Sequence, residues 1–227
     1  MQRLAILLFA GPLMAAPAFA QKGWQSLFDG KSFAGWHKYN GPEISSTWKI
    51  EDGAMALTGK GGGDLVTDKE YENFILDIEW KISEGGNSGI FWAVKEDPKY
   101  KTPYMTGPEI QVLDDAKHPD SFAGTSGNHK AGSLYDMIPP SDFSAVKPAG
   151  QWNQVRIKMD YRKNKATIWL NGKKVVKFQP SGASWDAMVN NSKFKGWEGF
   201  GMHHRGRIGI QDHGDQVWFR NIRIKEL

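Results

Sequence analysis

The chain has 227 residues, a net charge of +4, ten tryptophans and no cysteine. A domain of this size buries enough surface to be stable on its core alone, and the lack of cysteine excludes the small exported proteins that depend on disulfides. Basic and acidic residues are interleaved without a basic run, which excludes a nucleic-acid-binding stripe, so no nucleic-acid partner is expected.

The N-terminus has the three parts of a secretory signal peptide. Met1–Arg3 is basic, Leu4–Met14 is apolar, and Ala18-Phe19-Ala20 is a small-residue cleavage site. We expect a signal peptide over 1–20, cleavage after Ala20 and export to the periplasm or the medium. The apolar run is too short for a spanning helix and no cysteine follows it for a lipid, so no membrane anchor is expected.

Two segments predict β-hairpins. Trp48–Leu57 is centred on Asp52-Gly53, and Thr167–Val176 is centred on Asn-Gly at 171–172. Both dipeptides tolerate the positive φ angles that a two-residue hairpin turn requires. By contrast, the glycine-rich loop 59–64 lacks the lysine and hydroxyl ending of a phosphate-binding loop, which excludes that site.

The clearest strand is Tyr71–Ile82, where large apolar residues alternate with Asp77, Glu79 and Lys81. A Gly-Gly-Asn turn follows at 85–87. We therefore expect Ser88–Val94 to return as the antiparallel partner of this strand.

The segment Glu109–Leu113 carries the most informative alternation. Ile110 and Val112 point to one side of a strand, and Glu109 and Gln111 point to the other. A core-facing side and a side with a carboxylate and an amide predict a strand that builds a site on the open face of a sheet. A solvent-facing strand with ordinary surface residues is the alternative.

The remaining pattern favours strands over helices. Short strands are predicted at Ala131–Tyr135, Trp152–Met159 and Val217–Ile224, and one or two helical turns at Trp185–Val189. Strands that recur about every 8–15 residues between turn signals indicate an all-β protein, an antiparallel β-sandwich. No linker or repeat divides the chain, so one domain is expected over 22–227.

Several motifs occur in an order that resembles the bacterial 3-keto-disaccharide hydrolase domain family, formerly a domain of unknown function, over essentially the whole mature chain. The motifs are Leu27-Phe28-Asp29-Gly30, Asn87-Ser88-Gly89-Ile90, Gly107-Pro108-Glu109-Ile110-Gln111, Ala131-Gly132-Ser133-Leu134-Tyr135, Gln211-Asp212-His213-Gly214 and Phe219-Arg220-Asn221-Ile222. The resemblance implies a concanavalin A-like sandwich, or jelly roll, with ligands on the concave face. One position departs from the family: Ala93 follows Phe91-Trp92 where many members have Arg or Asn, so substrate identity is not carried over.

The resemblance also implies cleavage of a glycoside that is already oxidised at C3. A ketone at C3 acidifies the C2 hydrogen, so a general base can remove it and the C1 substituent can leave by elimination, followed by addition of water. Such a site needs a base with a near-neutral pKa, a charge or a metal facing the enolate oxygen and an acid for the leaving oxygen.

Nine residues are the candidates that this chemistry selects. Glu109 and His213 are the first candidates for the base and acid, or for a metal-binding pair, and His118 and Asp114 follow. The candidates for substrate binding have three roles. Hydrogen bonds to sugar hydroxyls are assigned to Gln111 and Asn87, stacking on the sugar ring to Trp92 and Tyr135, and stabilisation of an oxyanion to Lys130.

No organic cofactor is expected. A divalent metal is left open, because Asp, Glu and His can form a mixed metal site but no compact ligand spacing occurs in the sequence. The expected partners are a carbohydrate substrate and a separate sugar 3-oxidoreductase. Two alternatives remain: a non-catalytic lectin-like carbohydrate-binding module, and a conventional retaining β-glucanase. The second fits less well, because the Glu-x-Asp-x-x-Glu pattern of such enzymes is Glu109, Gln111 and Asp114 here.

Overall fold

A computed structural model describes residues 23–227, so the predicted signal peptide lies outside the described residues. Within this range, no helix has both the length and the apolar character needed to cross a bilayer. The strands are β1 (Gln25–Ser26), β2 (Trp36–Lys38), β3 (Trp48–Glu51), β4 (Ala54–Leu57), β5 (Leu65–Tyr71), β6 (Phe74–Ile82), β7 (Asn87–Val94), β8 (Glu109–Leu113), β9 (Asn153–Asp160), β10 (Lys165–Leu170), β11 (Lys173–Phe178), β12 (Gly206–Ile210) and β13 (Val217–Glu226). The α-helix of this range, α1, spans Ala183–Asn190.

The strands form two antiparallel sheets. Seven strands of the larger sheet follow the order β11-β10-β9-β6-β13-β4-β3, and β1 pairs with β13. The smaller sheet has the order β2-β5-β12-β7-β8. The predicted all-β antiparallel sandwich is confirmed.

The core lies between the two sheets. The alternating apolar residues of β6, from Phe74 to Ile82, are each no more than 1% exposed, as their alternation predicts. From the smaller sheet, Ile90, Ile110 and Val112 belong to the same apolar cluster. Because these residues alternate with polar ones on β8, the opposite face of that strand is free to carry a site.

Local turn chemistry gives the two predicted hairpins and the helix. Asp52 and Gly53 have φ of 49° and 75°, and Asn171 and Gly172 have 49° and 81°. Positive φ at both central residues is the geometry that joins strands with their natural twist. The helical turns predicted at Trp185–Val189 lie within α1.

Strand β7 lies in a different sheet from the one expected. It pairs with β8 and β12, whereas β6 pairs with β9 and β13, so the predicted β6–β7 pair is wrong. The connection between them is tied to the end of β8, because the Gly85 N–H donates to Asp114 Oδ2 at 2.7 Å. All eight residues of β7 are buried, as befits an inner strand that crosses to the second sheet.

The strand predicted at Ala131–Tyr135 is reduced to isolated bridges. Leu134 pairs with Ile110 on one side and Ile138 on the other. The segment therefore lies beside β8 without forming a regular strand.

The antiparallel order decides where the connections meet. β7 ends where β8 and β12 begin, so the connections 95–108 and 191–205 lie at one end of the smaller sheet. β5 begins where β12 ends, so the loop 59–64 and the segment 211–216 lie at the other end. The outer face of the smaller sheet is thus bounded by loops at both ends.

Candidate active site

A polar row crosses the outer face of the smaller sheet. Gly89 pairs with Gln111. Ile210 pairs with Ile90 on one side and with Leu65 on the other. The next residue, Gln211, therefore lies level with Gly89 and Asp64. The Gln211 N–H donates to the Gly89 carbonyl at 3.0 Å. Alternation along four strands therefore places two amides and a carboxyl side by side, with Glu109 in the next row.

A cavity of about 510 Å³ lies over this face. Its volume is in the range of small-molecule sites. It is lined by Asp64, Asn87, Thr102, Tyr104, Glu109, Gln111, Tyr135, Lys193, Phe194, Trp197, Gln211, Asp212 and His213. The floor is polar and comes from the sheet, and the aromatic wall comes from the connections at one end.

Glu109 lies over the backbone of the neighbouring strand. A Cβ added at Gly89 would lie 2.7 Å from Glu109 Cδ, so only glycine leaves room for this side chain. With its amide oriented so that both ends have partners, Gln111 donates to Glu109 Oε1 at 3.1 Å and to the Ser88 carbonyl at 3.0 Å. Glu109 Oε2 is then the oxygen available to a ligand.

Burial sets the proton affinity of two carboxyls that face the cavity. Removal from water raises the pKa of Glu109 to about 8, Lys193 lowers it in part, and the charges of Asp64 and Asp120 raise it further. Burial likewise raises the pKa of Asp64 to about 7, against the hydrogen bond that the Asp212 N–H donates to it at 2.9 Å. Both groups can therefore exchange protons near neutral pH.

A cation and a phenol stand beside Glu109. Lys193 Nζ lies 4.2 Å from the centre of the Tyr135 ring. The Tyr135 hydroxyl donates to Asp120 Oδ2 at 3.0 Å, and burial and this carboxylate raise the pKa of the phenol, so Tyr135 stays a neutral donor. Lys193 is the positive charge of the cavity that can face a developing oxyanion.

A hydrogen-bonded chain holds these two residues in place. His129 joins Asp120 Oδ1 at 2.8 Å and Asp136 Oδ1 at 2.7 Å. Asp136 Oδ2 in turn accepts from the backbone N–H of Lys193 at 2.6 Å. His129 therefore contributes to the site through its neighbours.

Two residues that line the cavity each have a buried amide oxygen without a partner in the described part of the chain. These oxygens are Asn87 Oδ1 and Gln211 Oε1, on side chains that are 5% and 8% exposed. A buried acceptor without a partner is costly unless a ligand supplies a donor. Sugar hydroxyls are donors of the right kind, so both amides are candidate hydroxyl-binding groups.

His213 lies at the other end of the cavity. Its Nε2 is 3.4 Å from Asn87 Nδ2, and its Nδ1 is 3.8 Å from Asp215 Oδ2. If Asn87 donates to Nε2, the neutral ring carries its proton on Nδ1, facing Asp215. Its side chain is 46% exposed, so His213 stands at the mouth of the cavity.

His118, His213 and Asp215 present ligand atoms within 4.8 Å of one another, a donor set that suits a divalent transition metal. However, the Asp120 N–H donates to His118 Nδ1 at 3.1 Å, which leaves the proton of neutral His118 on Nε2. Histidine ligands normally donate through their second nitrogen. The arrangement therefore does not fit a metal ion unless this hydrogen bond is displaced.

Five of the nine predicted residues line the cavity: Glu109, His213, Gln111, Asn87 and Tyr135. The other four lie elsewhere. Trp92 packs in the core against Phe178, because Phe91 is the residue of this pair that faces outward. Asp114 accepts from the N–H groups of Gly85 and Ala116 and so holds a turn.

Lys130 and His118 also lie outside the cavity lining. Lys130 Nζ lies over the rings of Phe122 and Phe143, at 5.6 and 5.9 Å from their centres. His118 contacts His213 edge-on, with ring centres 5.9 Å apart, and caps a short 3₁₀ helix. Neither is placed to touch a molecule that binds on Glu109.

Asp64, Lys193 and the aromatic wall were not predicted from the sequence. Asp64 ends an irregular glycine-rich loop directly before β5, and Lys193 and Trp197 lie in an irregular connection. None of these segments shows periodicity. The one available signal was the run of aromatic and basic residues from Lys193 to Trp197.

The fold and the cavity together define a sandwich with a carbohydrate-type site on its smaller sheet. Comparison with known proteins agrees: residues 23–225 match the model of the 3-keto-alpha-glucoside-1,2-lyase-like domain family, and the chain belongs to this family. A 3-keto-disaccharide hydrolase of Bacteroides thetaiotaomicron is 40% identical, over 90% of this chain and 79% of the relative. The predicted family is confirmed, and the chain is a glycoside hydrolase.

Solved structures support the same family and fold. Two candidate glycosyl hydrolases of Parabacteroides distasonis are 36% and 30% identical, with TM-scores of 0.81 and 0.67. Both alignments cover 90% of this chain, and they cover 94% and 99% of the respective structures. A carbohydrate-binding module of Bacillus subtilis, with 13% identity and a TM-score of 0.50 over 85% of this chain and 96% of its own, shares the fold alone.

Substitution of Gly89 by alanine should inactivate the site without unfolding the protein. The added Cβ displaces the Glu109 carboxyl, and a misplacement of about 1 Å is expected to lower glycoside cleavage by about 10²-fold. Gly59→Ala is the matched control, because a Cβ at Gly59 meets nothing within 4 Å. Rates and melting temperatures of both variants check this, and a fully active Gly89→Ala would show that Glu109 does not need its position.

The stability of the protein should fall as the pH rises toward 8. The folded-state pKa of Glu109, about 8, lies above its ordinary value of 4.5, so the unfolded chain releases its proton first. The stabilising contribution is complete below pH 4.5 and is lost as the pH rises to about 8. Denaturant unfolding of wild type and Glu109→Gln from pH 5 to 9 measures this loss of stability.

Glu109→Gln cannot ionise at this position, so its stability relative to wild type should increase as the pH rises to about 8 and then level off. The exposed Glu43→Gln serves as the control. A difference that is constant with pH would contradict the assigned burial of the Glu109 charge.

Proposed function

We propose that the protein cleaves glycosides whose sugar ring carries a ketone at C3, by elimination across C1 and C2 followed by hydration. The observation that carries the proposal is Glu109: a buried carboxyl with a pKa raised to about 8, without an ion pair in the described residues, and close to the Lys193 cation. This is the environment of a general base for an acidic C–H.

The chemistry can be written with these residues. Glu109 takes the proton from C2, and its electron pair moves to form the C2–C3 double bond of an enolate. Lys193 stabilises the negative O3. The C3 carbonyl then re-forms, and the electrons of the C2–C3 double bond form a C1–C2 double bond. The C1–O bond breaks at the same time, and a protonated group donates its proton to the leaving oxygen. Water adds at C1 and a proton returns to C2, so the sum is hydrolysis of the glycoside.

Asp64 is the better placed acid for the leaving oxygen. Its pKa of about 7 keeps a proton on it in part of the population at neutral pH, and the Asp212 backbone holds its position. His213 is the alternative, at the mouth of the cavity. Asn87 and Gln211 bind sugar hydroxyls through their free amide oxygens.

A conventional retaining mechanism is less well supported by these residues. It needs an ionised nucleophile about 5–5.5 Å from a protonated acid. The third carboxylate of that pattern is Asp114, which lies directly after β8 and holds a turn. Glu109 must be ionised to act as a nucleophile or as a base, so its pKa of about 8 bears equally on both mechanisms.

The proposal places the protein second in a two-step degradation. The ketone must be present before Glu109 can act, so a separate oxidoreductase acting on C3 of the sugar must supply the substrate. Export through the predicted signal peptide would place the cleavage step outside the cytoplasm.

The test is cleavage of a 3-keto-glucoside beside the same glucoside without the ketone. We expect cleavage of the keto sugar alone, and exchange of its C2 hydrogen in D₂O, detected by NMR. Glu109→Gln should lower the rate by about 10³-fold while binding is retained. Cleavage of the unoxidised glucoside would overturn the proposal in favour of a conventional glycosidase, and a parallel reaction with EDTA tests for a divalent metal.

The identity of the acid is tested by leaving groups of different acidity. Asp64→Asn should slow cleavage of a methyl 3-keto-glucoside by about 10²-fold, because methoxide needs a proton to leave. The 4-nitrophenyl compound should lose less than about tenfold, since nitrophenolate leaves unaided. His213→Gln is the matched control, and selective loss of the methyl substrate in that variant instead would assign the acid to His213.

A further inference from the structure

A second cavity, of about 460 Å³, adjoins the first at the end of the sheet where β7 ends. It lies between the connection that precedes β8 and the connection that precedes β12. Tyr100, Met105 and Glu198 line it but do not line the first cavity. The carboxyls of the first cavity take no part in its lining.

The two cavities share one wall. Thr102, Tyr104 and Trp197 line both of them, and the rings of Tyr104 and Trp197 lie 6.1 Å apart. A molecule longer than one sugar ring that occupies the first cavity can therefore extend past these residues into the second. The boundary between the two parts of that molecule falls at the shared wall.

Thr102 presents an unused hydroxyl at this boundary. It precedes the 3₁₀ helix Pro103–Met105, but its side chain makes no capping hydrogen bond. Its Oγ1 is buried and has no partner in the described residues. A buried hydroxyl without a partner is unfavourable until a ligand oxygen or donor reaches it.

The lining of the second cavity favours an apolar ring. The Tyr100 ring lies against Gly199, since a Cβ at that residue would be 2.7 Å from the Tyr100 Cζ. Trp197 is 36% exposed and is packed edge-on against Phe194. Two of the three charged residues in the lining pair with each other, because Lys99 Nζ lies 2.8 Å from Glu198 Oε1, and the third, Lys101, donates to the Pro98 carbonyl at 3.0 Å.

We infer that the second cavity is the subsite for the leaving group of the substrate, and that it takes an aromatic ring in preference to a second sugar. The inference rests on the proposed function for the orientation of the substrate. The reacting sugar lies on Glu109, Thr102 contacts the glycosidic oxygen, and the aromatic ring stacks on Trp197. A second sugar would bring many hydroxyls to a lining with few free partners.

Calorimetry with unreactive ligands tests the subsite without any cleavage. Wild type should bind phenyl glucoside about tenfold more tightly than methyl glucoside of the same anomeric configuration, the order expected for burial of part of an apolar ring. Met105→Ala should lower this preference to about threefold. Met202→Ala is the matched control, because Met202 is 68% exposed and lies outside both linings.

Kinetics separate this inference from the proposed function. The ratio of kcat/KM for phenyl and methyl 3-keto-glucosides should fall about threefold in Met105→Ala and stay unchanged in Met202→Ala. Cleavage of keto sugars without any phenyl preference in binding would overturn the subsite alone. A phenyl preference in binding without cleavage of any keto sugar would overturn the proposed function and leave the subsite in place.

Discussion

The removal of the Glu109 carboxyl from water is the constraint on which the site depends. The carboxyl lies over Gly89 and is 6% exposed, and this burial raises its pKa to about 8. The charge of Lys193, whose backbone N–H is bound by Asp136, lowers that pKa only in part. A closer ion pair would stabilise the carboxylate and lower its proton affinity, so the arrangement exchanges stability for basicity.

The parts of the molecule that depend on local chemistry were predictable from the sequence. Alternation on β8 placed Glu109 and Gln111 on one face, and the Asp-Gly and Asn-Gly pairs gave both hairpins. These features need only a side-chain period of two or a turn with positive φ. The motifs of the family then identified Asn87, Tyr135 and His213.

The errors concern contacts between distant segments. Whether β7 pairs with β6 or crosses to the other sheet is decided by packing of the whole sandwich. On a strand buried on both faces, alternation does not show which residue faces the site, and Trp92 was chosen where Phe91 faces outward. Asp64 and Lys193 come from irregular loops, whose positions depend on hydrogen bonds to Asp212 and Asp136.

The two halves of the binding region come from different parts of the smaller sheet and its connections. Side chains of β7 and β8, together with residues directly before β5 and directly after β12, build the polar floor, while the aromatic wall comes from two connections at the same sheet end. The connection 95–108 joins the paired strands β7 and β8, whose ladder runs from Asn87 to Glu109. A change in the length or sequence of the two loops would therefore alter what binds at the aromatic wall, while Glu109 and Asp64 keep their positions at the sheet.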